Sequence, residues 1–296
     1  MKTSGKIQPS TTCFLAGLFA LALVVGPFAL PVALAHQPNA VDAAGPVEVT
    51  APEISKAYYA ELDGEAAEYV IDSPEPFDLY AGLTVADLPG AETDFVLEVE
   101  AGGGPLFRAD GAEHSWTAYH ERFANDIYLN GPEYRLADAP AGRYVVRVSS
   151  PDNRGKYVLA IGEIEDFGPA ATLDAIRTAS RLKSDYFGKT GWSFAVSLLG
   201  GPFLLVAVAL GAFAGLLYRR VLKLLPVKKA QRLPGHRKNI GLADRLLRLG
   251  IALALLAVGV HFWLPCLFLL SGFVFYEAAA SWCVLHAAIG RNTCPL

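Results

Sequence analysis

Three groups of residues have the types and spacing to do chemistry. Cys283 and His286 stand three apart on one expected helix, and Cys294 follows beyond its end. A thiol and an imidazole so placed can bind a soft metal or handle persulfide sulfur. The spacing is not that of a zinc finger, and the plainer alternative is a cysteine packed in a helix pair. Glu277 falls near the middle of an apolar run, where an ionisable group is costly and so a functional candidate, with His261 as its relay partner. A hydrogen bond to a neighbouring helix is the alternative. His36 follows Ala33-Leu34-Ala35, an A-x-A cleavage pattern. Cleavage there would give His36 a free amine beside its imidazole, a pair of nitrogen ligands suited to copper. Such a site needs a further histidine, and His114 and His120 are the candidates. Otherwise His36 simply opens a loose arm ending at Gly45.

The elements that must position these groups change character along the chain. Lys2 and Lys6, then Phe14 to Leu30, read as a secretory leader, with Pro27 and Pro31 arguing against an uncleaved anchor helix. From Val47 to Gly162 short runs rich in aromatic and β-branched residues alternate with turn signals. Phe95 to Glu100 alternates with a period of two. Arg143–Val148 and Lys156–Ile161 flank Pro151-Asp152-Asn153-Arg154-Gly155, which reads as a hairpin turn. Trp116, with His114, Tyr119 and His120, offers either a stacking platform for carbohydrate or a cover for the core. Ala170 to Phe187 switches to a helical period, with Leu173, Ile176, Ser180 and Phe187 near one face and Asp174, Arg177, Arg181 and Lys183 mostly elsewhere.

Ser193 to Leu217 holds no acid or base and is long enough to cross a bilayer. Within it Gly211 and Gly215 form a GxxxG pattern, which permits close helix contact and self-association. Ten Lys and Arg against Asp244 alone follow between Tyr218 and Arg248, and such a run stays on the cytoplasmic side. Leu246–Leu264 and Cys266–Ile289 read as two further spans. Between His36 and Thr190 there are 27 acids against 12 bases, a difference of −15. That balance argues against nucleic acid and anionic lipid surfaces for the outer domain and suits cations or basic partners. The outer domain holds none of the four cysteines, so it must stand on its own core. Hydrophobic residues make up 53%, with mean hydropathy +0.33, fitting a mixed soluble and membrane chain. There is no G-x-S-x-G, Walker loop, GxGxxG or H-E-x-x-H, and Gly102-Gly103-Gly104-Pro105 is a turn.

Two resemblances follow from quoted motifs. Pro140 to Val148 with Gly155 to Leu159, joined by Tyr58–Ile71 and Phe77–Leu83, resembles the strands of bacterial pre-peptidase C-terminal domains. That resemblance implies a jelly-roll accessory or binding module. Asn239 to Leu249 and Cys283 to Pro295 resemble the opening and closing motifs of the YgaP-like inner-membrane domain family. This implies a two-helix membrane hairpin, sometimes attached to rhodanese sulfurtransferases. The chain has His286 where the family often has an aromatic, and it carries no rhodanese domain.

The expected architecture is an all-β, jelly-roll-like sandwich outside the cytoplasm plus an α-helical membrane domain with three transmembrane helices. Its divisions are a signal peptide at 1–35, the sandwich at 36–168, a linker helix at 169–191, a first span at 192–218, a basic cytoplasmic loop at 219–245, a hairpin at 246–290 and a cytoplasmic tail at 291–296. The expected function is a non-enzymatic, multi-pass inner-membrane protein presenting an acidic periplasmic binding or sensing module to an unidentified ligand or protein, with homo-oligomers through the glycine face. The alternatives are copper or sulfur handling, and a transporter accessory subunit motivated by Glu277.

Overall fold

The computed structural model describes residues 36–41, 45–224, 238–289 and 291–293. The expected leader, residues 225–237 of the basic loop and Cys294 lie outside them.

Eleven strands are described: β1 (Gln37–Ala40), β2 (Val47–Glu48), β3 (Lys56–Asp63), β4 (Ala67–Ser73), β5 (Phe77–Ala86), β6 (Val96–Ala101), β7 (Gly104–Asp110), β8 (Thr117–Glu121), β9 (Asp126–Ala139), β10 (Gly142–Ser149) and β11 (Arg154–Ile161). Sheet A has the order β1-β3-β11-β5-β9-β8, and sheet B the order β2-β4-β10-β6-β7. The period of two explains the core. Tyr58 and Leu62 from β3, Leu79 and Leu83 from β5 and Leu159 from β11 meet Ile71 from β4, Val99 from β6 and Val146 from β10. Each buried Leu, Ile or Val contributes on the order of 1.5–3 kcal/mol.

The expected hairpin of β10 and β11 is not formed. β10 pairs with β4 and β6, whereas β11 pairs with β3 and β5. The turn chemistry is present: the Ser150 hydroxyl donates to the Arg154 carbonyl at 2.9 Å, and Gly155 takes φ +107. The turn instead carries the chain from one sheet to the other. Tyr144, Val146 and Val148 thereby face the same core as Tyr157, Leu159 and Ile161. Local signals define a turn; which sheets its strands join depends on the core they must fill.

Sheet A is also covered on its outer face. Helix α1 (Pro169–Asp185) lies there, and Leu182, Tyr186 and Phe187 pack on Ala57, Ala86, Tyr128 and Val158. The buried positions of α1 are Ala175, Ile176, Ala179, Leu182 and Lys183, while Leu173 is 49% exposed. The expected face was therefore rotated, because Lys183 belongs inside. Its ammonium bonds Asp126 at 2.5 Å, and Lys189 reaches the other oxygen of that carboxylate at 2.9 Å. Both ammonium groups also lie within about 5.4 Å of the Phe187 ring centre. Burial lowers the Lys183 pKa, and the Asp126 bond opposes that shift.

The first expected span is interrupted. A short helix α2 (Gly191–Ala195) ends before Val196, and α3 (Gly200–Leu224) begins after a break. The Ser197 hydroxyl accepts the Gly200 N–H at 2.9 Å. In the break, Leu199 N–H donates to the Phe123 carbonyl at 3.0 Å, tying the segment to the β-domain. Helices α4 (Leu242–Phe262) and α5 (Pro265–Ala280) form a hairpin through Trp263, at φ +48. By length and composition, 200–222 and 242–262 are long and apolar enough to cross a membrane. The third expected span is not one helix. Ser281 takes φ +51, the chain breaks over 281–283, and α6 (Val284–Ile289) follows. At 16 residues α5 is roughly 24 Å long, short of a typical bilayer core.

Gly211 and Gly215 are used within the chain. A Cβ on Gly211 would lie 1.9 Å from the Leu269 carbonyl oxygen, and one on Gly215 would lie 2.7 Å from the Tyr276 ring. Gly272 answers from α5, its Cβ position 1.9 Å from the Val208 carbonyl oxygen. Within this chain Gly211 and Gly215 therefore lie against α5.

Candidate functional site

A cavity of about 400 Å³ lies between the outer face of sheet A and α1. Its floor follows from register. Ala57, Ala160 and Gly82 sit side by side on three adjacent strands, with Glu133 next in the row. The neighbouring row is Tyr59, Val158, Thr84 and Asn130. Ala57 and Ala160 leave space that α1 does not fill, the Tyr80 side chain lies over Gly82, and Tyr59, Tyr119 and Tyr128 complete the wall. Tyr59 and Tyr128 share a hydroxyl contact at 2.8 Å; burial pushes the first upward and the second well upward in pKa.

The two ends of the cavity differ. Glu121, Phe123, Ala124, Ala179 and Leu199 line one end. Ala124, Ala179 and Leu199 also belong to the cluster of Phe194, Ala207, Val260, Trp263 and Phe268, which caps the helical bundle. Glu121 accepts the backbone N–H groups of Phe123 at 2.6 Å and Ala124 at 2.8 Å. Desolvation raises its pKa, and those two bonds oppose the rise. The other end holds His36, Glu133, Arg135, Glu163 and Glu165. Arg135 lies nine residues along β9 from Asp126, roughly 25–30 Å at strand rise. It bonds Glu133 and Glu163 and covers the Tyr80 ring at 4.6 Å.

The three histidines expected to share copper are not brought together. His36 lines the cavity and its Nδ1 contacts the Ser55 hydroxyl; burial lowers its pKa. His120 bonds the Asn125 side chain at 2.9 Å, and on β8 it alternates with Tyr119 and Glu121, which line the cavity. His114 meets the edge of Trp116. Trp116 packs on the β core and donates to the Gly111 carbonyl at 2.8 Å. Among the described residues, no group of three or more His, Cys, Asp or Glu could hold a metal ion.

The thiol candidates occupy the other end of the bundle. Cys283 is not helical but sits in the break before α6, 1% exposed. Asn239 clamps it, accepting its N–H at 2.7 Å and donating to its carbonyl at 2.9 Å. Arg248 donates to the Cys283 sulfur at 2.9 Å and approaches the Glu277 carboxylate at 3.5 Å. Glu277 lies in the last turn of α5 rather than mid-span, and it accepts the Val284 N–H at 2.6 Å, capping α6. His261 lies thirteen residues from Arg248 along α4, roughly 20 Å away, so it is no relay partner for Glu277. His286 is 8% exposed with its Nδ1 unpartnered; Cys294 lies outside the described residues.

Sequence reasoning missed Asp126 as a buried polar anchor and Glu121 and Arg248 as half-buried ones. Only Arg248 had a local signal, its place four residues after Asp244 at a helix start.

No curated protein matches the chain. Among solved structures, the Aeromonas hydrophila periplasmic lysozyme inhibitor PliG, an inhibitor of g-type lysozyme, is 14% identical, covers 43% of this chain and 98% of its own, and has a TM-score of 0.27. The pre-peptidase C-terminal domain of a Bacillus anthracis collagenase is 13% identical, covers 44% and 96%, and has a TM-score of 0.22. Residues 236–296 match the family of the inner membrane protein YgaP-like transmembrane domain, and both motifs that Asn239 clamps together lie within that match.

Proposed function

We propose that the chain is a multi-pass inner-membrane protein whose jelly-roll-like β-domain, outside the cytoplasm, binds an apolar or amphipathic small ligand without catalysis. The carrying observation is the cavity of about 400 Å³ under α1, floored by Ala57, Ala160 and Gly82. A strand face facing a helix ordinarily fills with large side chains; here Ala57 and Ala160 are small, Tyr80 covers Gly82, and the other tyrosines wall the remaining space. Helices α3 and α4 supply two passes, and α5 with α6 stands where the third expected pass falls. The basic residues after Tyr218 lie at the end of α3 away from the β-domain, in keeping with an inner basic loop. The test is binding of an environment-sensitive apolar dye to the full chain in lipid nanodiscs. Ala160→Phe, which fills the floor, should abolish the signal above empty nanodiscs; an unchanged signal rules the cavity out as the site. Alkaline phosphatase fused after Thr190 should be active and fused after Gln231 inactive, and the reverse pattern overturns the orientation.

A further inference from the structure

The cavity has two unlike ends and touches the membrane part at one of them, and this asymmetry says more about the ligand than its apolar floor does. At the near end, Leu199 immediately precedes the first membrane-length helix, and Ala124 and Ala179 belong to both the cavity wall and the cluster capping the bundle. An apolar chain entering from the adjoining leaflet meets Leu199, Ala124, Ala179 and Phe123 there, with Glu121 the one carboxylate at that end and its oxygens turned to the Phe123 and Ala124 N–H groups. At the far end, three carboxylates, Glu133, Glu163 and Glu165, face one guanidinium, Arg135. Arg135 is already held by Glu133 and Glu163, so the far end presents net negative charge to whatever arrives. A carboxylate or phosphate-only head would meet repulsion there, and a protonated amine would meet carboxylates and the tyrosine faces together. The volume of about 400 Å³ stands toward the lower end of small-ligand sites, on the order of 300–1,000 Å³. That volume is on the order of one alkyl chain.

We infer that the cavity takes a single-chain membrane lipid with an amine-bearing headgroup, its tail on the Ala57–Ala160–Gly82 floor and its amine at the Glu133–Glu163–Glu165 end. This inference rests on the cavity being the binding site and adds the chemistry of its occupant. The lipid is drawn tail-last from the leaflet beside the β-domain, so that the amine leads toward the carboxylates and the chain end stays near Leu199.

The test uses the full chain in nanodiscs and two lysophospholipid probes with the same photoreactive tail, one with an ethanolamine head and one with a glycerol head. Labelled peptides are mapped by mass spectrometry. The expected result is labelling of β3, β5, β11 and α1 that is several-fold stronger with the ethanolamine probe. Ala160→Phe should abolish cavity labelling by both probes, with Thr84→Phe as the second filling variant should the first fail to fold. Glu163→Gln with Glu165→Gln should keep the labelling but bring the two probes close to parity. Equal labelling of the native chain by both probes, still abolished by the filling variants, overturns the amine assignment and leaves the cavity as the binding site. A head preference that survives the double glutamine variant overturns it as well. Labelling confined to α3, α4 and α5, or unchanged by both filling variants, overturns the site and the inference together.

Discussion

Two buried ion clusters sit at opposite ends of the helical part, and they are built on different plans. Beside the β-domain, one carboxylate serves two ammonium groups: Asp126 and Lys183 are each 1% exposed, and Lys189 reaches in from the surface. At the far end, one guanidinium serves several acceptors: Arg248 contacts the Cys283 sulfur, the Asp244 carbonyl and Glu277. The first cluster joins residues 57 and 63 positions apart, locking α1 to the start of β9. The second joins the ends of α4, α5 and α6 inside a single family segment. A cluster with one hub acid fails when that acid is lost, because a buried ammonium remains. The second cluster has its hub in Arg248, so it loses one bond when an acceptor changes and all of them when Arg248 does.

The largest expected effect breaks the first plan. Asp126→Ala leaves Lys183 buried without its partner and should cost roughly 3–5 kcal/mol. Thermal unfolding of the full chain in nanodiscs measures it. Adding Lys183→Met should recover most of the loss, since no charge then stays buried. A loss of under about 1 kcal/mol for Asp126→Ala would mean that the ammonium escapes to water, and the hub description would fail.

The helical part relies on backbone approach where the junction relies on charge. Gly211→Leu places carbon against the Leu269 carbonyl and should force α3 from α5, costing ~1–3 kcal/mol or more. Gly215→Leu should cost less, because it meets the Tyr276 ring, which can turn aside. Thermal midpoints in nanodiscs order the two. Equal midpoints for Gly211→Leu and the native chain would show that this contact is not tight.

These differences explain what could be read from the chain. The strands that form the core announce themselves by alternation, as in Phe95 to Glu100, because one face is wet and the other dry. Strands β7 and β8 are hard to read because their burial alternates weakly, β8 being nearly all exposed, whereas β9 alternates but carries polar and Gly-Pro residues through its middle. The helical face of α1 was misjudged because Lys183 reads as a surface residue until Asp126 is known to face it. The GxxxG pattern lies against α5, and the sequence alone does not name that partner, since α5 and a second copy offer the same kind of surface. The cavity was invisible for a related reason. Ala57, Gly82 and Ala160 are unremarkable singly and become a floor only through the register of three strands.

A smaller effect sharpens the comparison from the distributed side. Glu277→Gln keeps an oxygen for the Val284 N–H and loses only the charge facing Arg248, so it should cost on the order of 1 kcal/mol. Glu133→Gln alters a carboxylate whose side chain is 51% exposed and should cost a few tenths at most. Parallel melts of the two variants decide this, and equal midpoints would remove any special place for Glu277.

The smallest effect lies at the cavity's far end and is read through pH. His36 has its pKa lowered below 6.5, chiefly by burial, with Glu165 and Glu163 opposing the shift in that order. A lowered folded value means that the unfolded chain binds more protons across the interval from the folded value up to 6.5. Stability from the neutral ring is thus fully present above 6.5 and is lost as pH falls through the folded value. Glu121 carries a shift of the opposite sign: its raised pKa makes stability fall as pH rises above the ordinary carboxylate range. The total pH profile therefore mixes the two, and the informative quantity is the difference between the native chain and His36→Gln. Between pH 7.5 and 5.5 the native midpoint should drop relative to that of His36→Gln, which has no ring to charge. His36 is exposed at the rim of the cavity, so the difference should be small, and parallel profiles would show that its surroundings do not desolvate the ring.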